Sequence, residues 1–318
     1  MKKFCKVFLS VLGILLLVLI IAWTALDITK YIVYADYYEG YQKACAIPDI
    51  HSGFTPQGIT YLAAEDAYLQ SGYDGEHLAL YYVKGSEHRK LLPLDTAGAL
   101  GKGHGGGVTA TDRFVYIAGN HALLRYDLSV ILAAKAGDRI PCLEEIPVDN
   151  SASFCFADGG SLYVGEFYRA GNYETDMTHA FTTPEGEEHR AIVSCYTVLE
   201  NGSLNPQPDL HISVPGLVQG FAVHNGVIAV SRSWGVNSSS LEFYDGMLET
   251  GTVSAEGVPL CYIGQKNRIR QLDLPAFSED LTVKGDRVVI NFESACNKYI
   301  VGKLFFATDA GSYPFPRK

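Results

Sequence analysis

Five stretches of this chain repeat one phrase, and that repetition restricts the fold more than any single residue does. They are PQGITYLAAEDAYLQSGY from Pro56, GGGVTATDRFVYIAGN from Gly105, ASFCFADGGSLYVGEF from Ala152, VQGFAVHNGVIAVSRSW from Val218 and SEDLTVKGDRVVINFES from Ser278. In each, an apolar strand passes through a short turn rich in Asp, Asn or Gly into a second, alternating strand, which predicts a β-hairpin. Aligned on the first apolar residue, the hairpins are anchored at Ile59, Val108, Cys155, Phe221 and Leu281, with spacings of 49, 47, 66 and 60 residues. A four-stranded propeller blade takes ~40–50 residues, so every interval holds one blade and some loop. Strand-like pieces at 77–83, 122–128, 192–198 and 240–245 fit third strands. A β-sandwich would show the alternation without the fixed long period. The expectation is an all-β chain folded as a β-propeller of five blades. A sixth is possible from residues 37–50 joined to 299–309, but these pieces more economically close the last blade.

A different kind of segment precedes the repeats. Lys2, Lys3 and Lys6 stand before an uncharged run over 7–26, about the 20 residues an α-helix needs to cross a ~30 Å hydrocarbon core. The basic flank predicts a cytoplasmic tail at 1–6 and an extracytoplasmic location for everything after Asp27. A cleaved signal peptide is the competing reading. Its apolar core is usually only ~7–15 residues and a small-x-small site should follow, for which Ala22-Trp23-Thr24 is a poor match. The chain then divides into the tail 1–6, a transmembrane signal anchor 7–26, a linker with the closing strand at 27–49, and the propeller at 50–318.

Charge excludes some partners. The net charge is −10, and setting aside Lys2, Lys3 and Lys6 leaves −13 for residues 7–318. Such a domain has no electrostatic footprint for nucleic acid or anionic lipid. The one basic cluster, Lys266, Arg268 and Arg270, alternates at strand period and reads as the solvated face of a strand. Six cysteines follow the anchor. An even number in an exported domain permits disulfides, and Cys45 with Cys296, near the two ends of the domain, is a candidate closing pair. Cys155 and Cys195 sit in apolar runs and read as buried thiols. No CxxC or Cys/His ligand spacing occurs, so zinc is not expected.

The repeated Gly-Ile start, turn and Val-Tyr-Val-Ala-like second strand resembles the inner hairpin of NHL-type and gluconolactonase-like (SMP-30) propellers over most of residues 50–306. The resemblance implies a calcium ion in the central channel, held by Glu, Asn and Asp. Glu166, Glu279, Asn120 and Asn291 stand in roughly suitable places, with Glu166, Glu279 and Asn120 the preferred set. A calcium-dependent hydrolase, lactonase-like or acting on sugars, is therefore one of the two functions to weigh.

Propeller geometry also predicts a site directly. The start of strand one and the end of strand two of every blade meet at one mouth of the channel. Two residues before the anchors stand Gln57, Gly106, Ser153, Gln219 and Glu279, with His104 just upstream of the second. Eleven or twelve residues after the anchors stand Ser71, Gly119, Glu166, Arg232 and Glu293, with Tyr73, Asp74 and Asn120 beside them. Gln57, His104, Glu166, Gln219, Arg232, Glu279 and Glu293 are the expected ligand-binding set. Insertions at 168–190 and 233–239 feed the same side and can act as lids or simply as surface loops. Glu166 and Glu279 suit acid–base work or cation binding, or else pairing with Arg232 and capping of strand amides. No P-loop, GxSxG elbow, HExxH or EF-hand loop is present. The other function to weigh, and the preferred one, is binding of a small ligand, glycan or cell-envelope partner.

Overall fold

Each repeated phrase is a two-stranded hairpin in the structure, a computed structural model that describes residues 2–248, 252–254, 256–299 and 307–317. Turn chemistry sets the register. At Asn225-Gly226 both residues have positive φ, 49° and 71°, which a two-residue hairpin turn requires and which Asn and Gly adopt at least cost. His224 and Val227 face each other directly across it.

Two further strands add outward on each hairpin, giving five blades. From the channel outward, blade one is Phe54–Leu62, Ala67–Asp74, His77–Lys84 and Glu87–Pro93. Blade two is Gly107–Ala110, Phe114–Gly119, Ala122–Asp127 and Glu144–Pro147. Blade three is Phe154–Asp158, Ser161–Gly165, Ala191–Thr197 and Leu210–Val214. Blade four is Val218–His224, Val227–Arg232, Ser239–Asp245 and Arg268–Leu274. Blade five is Ser278–Lys284, Arg287–Phe292, Asp309–Pro314 and Gln42–Ala46. The four pieces read as third strands are third strands. Arg139–Ile140 and Pro259–Tyr262 extend the outer edges of blades one and three in parallel.

Neighbouring first strands touch in order around a ring that returns from blade five to blade one. The anchors Ile59, Val108, Cys155, Phe221 and Leu281 are buried within it. The ring is tight because glycine precedes the anchor in three blades. A Cβ on Gly58 would lie 2.5 Å from Val108 N, one on Gly107 2.5 Å from Cys155 N, and one on Gly220 2.8 Å from Asp280 Cα. Backbone meets backbone there, with no room for a side chain. Innermost amides have no partner strand on the channel side and need another acceptor. Asp280 Oδ2 accepts the N–H of Ile59 (3.1 Å) and of Val108 (3.2 Å). Thr282 Oγ1 does the same for Tyr61 N (3.1 Å), and Thr109 Oγ1 for Ala157 N (2.9 Å).

The ring closes by joining the two ends of the domain. Gln42–Ala46 pairs antiparallel with Asp309–Pro314, so the first strand of the chain completes the last blade. The expected C-terminal partner at 300–308 lies almost wholly outside the described residues, and the observed one begins at Asp309. No sixth blade forms among the described residues.

The helix Lys2–Val33 contains a span, Phe4–Val33, that is long and apolar enough to cross a membrane. It runs past Leu26, the end of the uncharged run. Asp27 and Lys30 lie one turn apart in it and pair at 2.7 Å. A short helix, Ala35–Gly40, follows. Tyr34 and Tyr37 are buried, and the Tyr37 ring meets Tyr313 at 6.2 Å and Phe292 at 6.3 Å. The segment expected as a linker is therefore docked on the propeller.

All seven cysteines are free. The candidate Cys45–Cys296 pair is not bridged: the Cys45 thiol faces blade one and accepts from Gln70 Nε2 at 3.2 Å. Cys296 instead follows the 3-10 turn Glu293–Ala295 at the end of the second strand of blade five. Cys155 and Cys195 are buried thiols, and burial pushes both pKa values up.

Candidate binding mouth

At one end of the ring, the starts of the first strands and the ends of the second strands enclose a cavity of about 620 Å³. The position two residues before the anchor lines it in all five blades: Gln57, Gly106, Ser153, Gln219 and Glu279. His104, Asn120 and Glu293 line it as well. Backbone register carries these residues together from distant parts of the chain.

Glu166 and Arg232 are not in this lining. Successive residues of a strand point to opposite faces, and it is Phe167 and Ser233, one step on, that reach the cavity. Glu166 is buried, with Oε1 2.8 Å from His179 Nδ1 and accepting the Ile192 N–H at 3.1 Å. Arg232 donates from Nε to Gly216 O and from Nη1 to Glu242 Oε1, both at 2.9 Å. The count of eleven stops one residue short in blades three and four. The hairpin of blade three is regular, and the irregularities of blades one, four and five precede the anchor. The residues twelve after the anchor in blades two to five, Asn120, Phe167, Ser233 and Glu293, all line the cavity.

The walls are aromatic to an extent that the polar positions did not announce. Phe167 and Trp234 stack at 6.0 Å, and Tyr173 meets their rings edge-on at 5.3 and 5.8 Å. The Arg169 guanidinium lies 4.0 Å from the Trp234 ring centre. Tyr73 stacks on His104 at 5.0 Å, and Phe277 lies 4.1 Å from Tyr299. Both insertions contribute, 168–190 through Tyr173 and 233–239 through Trp234. The first is not structureless, since it holds the 3-10 turn Met177–His179 and a small hairpin pairing Phe181–Thr182 with Glu188–His189. The available signal was the aromatic residue beside the polar end of strand two, at Tyr73, Phe167 and Trp234.

Backbone strain gathers at the same rim. A residue at the entry to the first strand has positive φ in all five blades, at Gly53 (109°), Gly105 (60°), Ala152 (50°), Leu217 (69°) and Phe277 (59°). Glycine adopts this freely, whereas each of the others costs on the order of 1–3 kcal/mol, and such strain concentrates at functional sites. Ala152 and Phe277 line the cavity.

Glu279, Glu293 and Lys298 provide its charge. Lys298 Nζ donates to Tyr73 Oη at 2.8 Å and to Glu293 Oε1 at 3.1 Å, and Tyr299 Oη donates to the same carboxylate oxygen at 3.2 Å. Burial disfavours the Lys298 ammonium, but these contacts with Tyr73 and Glu293 outweigh it and hold its pKa above the usual lysine range. Glu279 is buried, and its carboxyl sits well above the usual range. Burial is the main cause, followed by the charges of Glu293 and Asp280, with Lys298 offsetting only part. Two carboxyls whose environments differ in this way can take separate roles, one as proton or hydrogen-bond donor and one as acceptor.

The calcium set does not assemble as expected. Glu279 and Asn120 line the cavity, but Glu166 is tied to His179. Asn291 does not line the cavity; its Nδ2 donates to Gln57 O at 3.1 Å and Gly58 O at 3.3 Å, and its buried Oδ1 has no hydrogen-bond partner among the described residues. Calcium needs about 6–8 oxygen ligands, and the positive charge beside Glu293 comes from Lys298. The end of the long helix also lies beside the rim, since Tyr34 Oη is 3.3 Å from Ser238 Oγ in the loop that carries Trp234.

No protein-family model and no curated protein matches the chain. Solved structures similar to it include the glutaminyl cyclase of Myxococcus xanthus, at 13% identity and TM-score 0.38, covering 86% of this chain and 94% of that one. An oxidoreductase of Thermus thermophilus described as a glucose dehydrogenase matches at 11% identity and TM-score 0.42, over 86% and 99%. The WD40 propeller domain of Doa1 matches at 11% and 0.39, over 79% of each chain. Likenesses this distant carry no reading of activity, and the five-bladed architecture rests on the strand order itself.

Proposed function

We propose that this chain is a single-pass, membrane-anchored propeller whose extracytoplasmic mouth binds a small polar ligand of the cell envelope, with a glycan fragment the best-suited class. The observation that carries the reading is the convergence of all five blades on one cavity that combines flat aromatic faces with carboxyl, amide and hydroxyl groups. A sugar ring offers an apolar face for stacking and hydroxyls for such polar groups, which is how aromatic-lined pockets fix a ligand's orientation. The volume, about 620 Å³, lies within the ~300–1,000 Å³ range of small-molecule sites. The basic N-terminal flank favours a cytoplasmic N-terminus. The Tyr34–Ser238 contact supports a mouth beside the anchor, where an envelope component would be met.

One observation favours a second reading, a hydrolase acting on a sugar or lactone. The raised carboxyl of Glu279 beside the lysine-paired Glu293 is the arrangement of an acid–base pair. The test uses the full chain in lipid nanodiscs, screened against envelope glycan fragments by array and calorimetry, in calcium and in chelator. Saturable binding without turnover, weakened at least tenfold in Trp234→Ala, is the expected result. Turnover of the bound fragment favours the hydrolase, and turnover only in calcium its metal-assisted form. Binding untouched by Trp234→Ala removes the ligand from the mouth.

A further inference from the structure

A second cluster of ionisable groups lies away from the mouth, against the outer part of blade three. Asp149 is on the link between blades two and three, His211 on the fourth strand of blade three, and Glu256 on the turn before Pro259–Tyr262. Each brings one nitrogen or carboxylate oxygen to within 4.8 Å of the other two. His179, on the 3-10 turn of the 168–190 insertion, places Nε2 3.9 Å from Glu256 Oε1. His179 and His211 share a cavity of about 190 Å³.

The donors are held from behind. Glu166 Oε1 lies 2.8 Å from His179 Nδ1 and is itself fixed by the Ile192 N–H. Asp149 Oδ1 accepts from Ser194 Oγ and Tyr196 Oη, both at 2.7 Å, which leaves Oδ2 beside His211 Nε2 at 2.8 Å. His211 is 1% exposed, and its buried Nδ1 has no hydrogen-bond partner among the described residues. A native structure seldom leaves such a group unused. Three carboxylates, from Asp149, Glu166 and Glu256, thus face two imidazoles. Among the described residues, no lysine or arginine pairs with any of the three.

We propose that Asp149, His179, His211 and Glu256 bind one divalent transition-metal ion of the zinc class. Mixed imidazole and carboxylate donors suit zinc and its neighbours, whereas calcium and magnesium take oxygen ligands. Ligating histidines characteristically give their second nitrogen to a carboxylate, as His179 does to Glu166. Ligands ~2.0–2.2 Å from a tetrahedral ion sit roughly 3.3 Å from one another. Asp149, His211 and Glu256, within 4.8 Å of one another, must therefore draw closer, and His179, which stands outside that group at 3.9 Å from Glu256, must move in with it. Glu256, on an exposed turn, is the group able to move in. The ion would fasten the insertion that carries Tyr173 to the fourth strand of blade three. No cysteine takes part, so the absence of cysteine ligand spacings says nothing about this site.

The test uses untagged full chain in nanodiscs, stripped with chelator, then titrated with Zn²⁺ by calorimetry, with retained metal measured by mass spectrometry. One zinc per chain is expected. His179→Gln and Glu256→Gln should each weaken it by ~10–100-fold, the range seen when metal-site partners are removed. His88→Gln, near the start of the fourth strand of blade one, should leave it unchanged. Because Glu256 is exposed, Glu256→Gln folds even if the buried histidines tolerate no change. Failure to retain zinc overturns the proposal. So does zinc binding that neither Glu256→Gln nor His179→Gln weakens, or zinc displaced by equimolar calcium.

Discussion

Replacing Gly107 with alanine probes how tightly the ring is closed. Gly107 opens the first strand of blade two, and a Cβ there would lie 2.5 Å from Cys155 N, 2.7 Å from Phe154 Cα and 2.9 Å from Phe154 C. All three are backbone atoms of blade three, so no side chain can swing aside. Carbon contacts are comfortable at ~3.5–4.0 Å, so the strands must part by about 1 Å. In a closed ring that displacement passes to the next interface instead of relaxing at an edge. Overpacking costs ~1–3 kcal/mol, and a backbone-to-backbone clash belongs at the upper end. The stiffer unfolded chain returns ~0.4–1 kcal/mol, which leaves a net loss of about 2 kcal/mol. At ~2–4 °C per kcal/mol for large domains, the melting temperature should fall by roughly 4–8 °C. Thermal melts of the full chain in detergent measure this, with Gly119→Ala as the control. Gly119 lies in the same blade and nothing stands within 4 Å of its would-be Cβ, so that variant should stay within ~1 kcal/mol of the parent. If the two variants melt together, the first strands are not packed as described.

Arg232→Ala leaves Glu242, which is fully buried, with only Arg268 at 3.7 Å for a counter-ion. Breaking a buried pair costs ~3–5 kcal/mol, and because Arg232 is partly exposed the loss should be about 2–3 kcal/mol by denaturant unfolding; a loss below ~1 kcal/mol contradicts a structural role for the pair. Glu279 has a raised folded-state pKa, so its favourable contribution is complete below the ordinary carboxylate range and is lost as pH rises through the folded value. Glu279→Gln should therefore gain stability over the parent as pH rises from 4 to 8, and a parent that gains instead refutes the assignment. Deleting 309–318 removes the strand between Arg287–Phe292 and Gln42–Ala46 and opens the ring, so the propeller should lose its cooperative melt; a truncated chain melting near the parent temperature argues against closure.

The sequence made the blades legible because their information is local. Alternation, turn residues and the glycine before the anchor are read within one hairpin, and the five anchors are buried as that reading requires. The positions two residues before the anchors were legible for the same reason, since only strand direction decides where they go. Glu166 and Arg232 were misplaced because the count of eleven residues after the anchor ends one short of the cavity-facing position in blades three and four, and one residue along a strand sends a side chain to the other face. The closing of the last blade by the two ends of the domain was legible, and the pairing is seen at Asp309–Pro314, while the expected partner at 300–308 lies almost wholly outside the described residues. The Asp149, His179, His211 and Glu256 cluster is drawn from four unrelated elements, and no spacing in the chain links them. Its only trace was the insertion itself.

Trp23 and Trp234 are the only two tryptophans in the chain, and Trp234 is in the wall of the mouth. A Trp23→Phe chain in nanodiscs therefore carries one intrinsic reporter at the proposed site. Titrating it with the glycan fragment that binds best by calorimetry should give a saturable change in Trp234 emission and protect that ring from acrylamide quenching, with the same dissociation constant as the heat signal. A fragment that binds by calorimetry while Trp234 emission and quenching stay unchanged would contradict a binding site at the mouth.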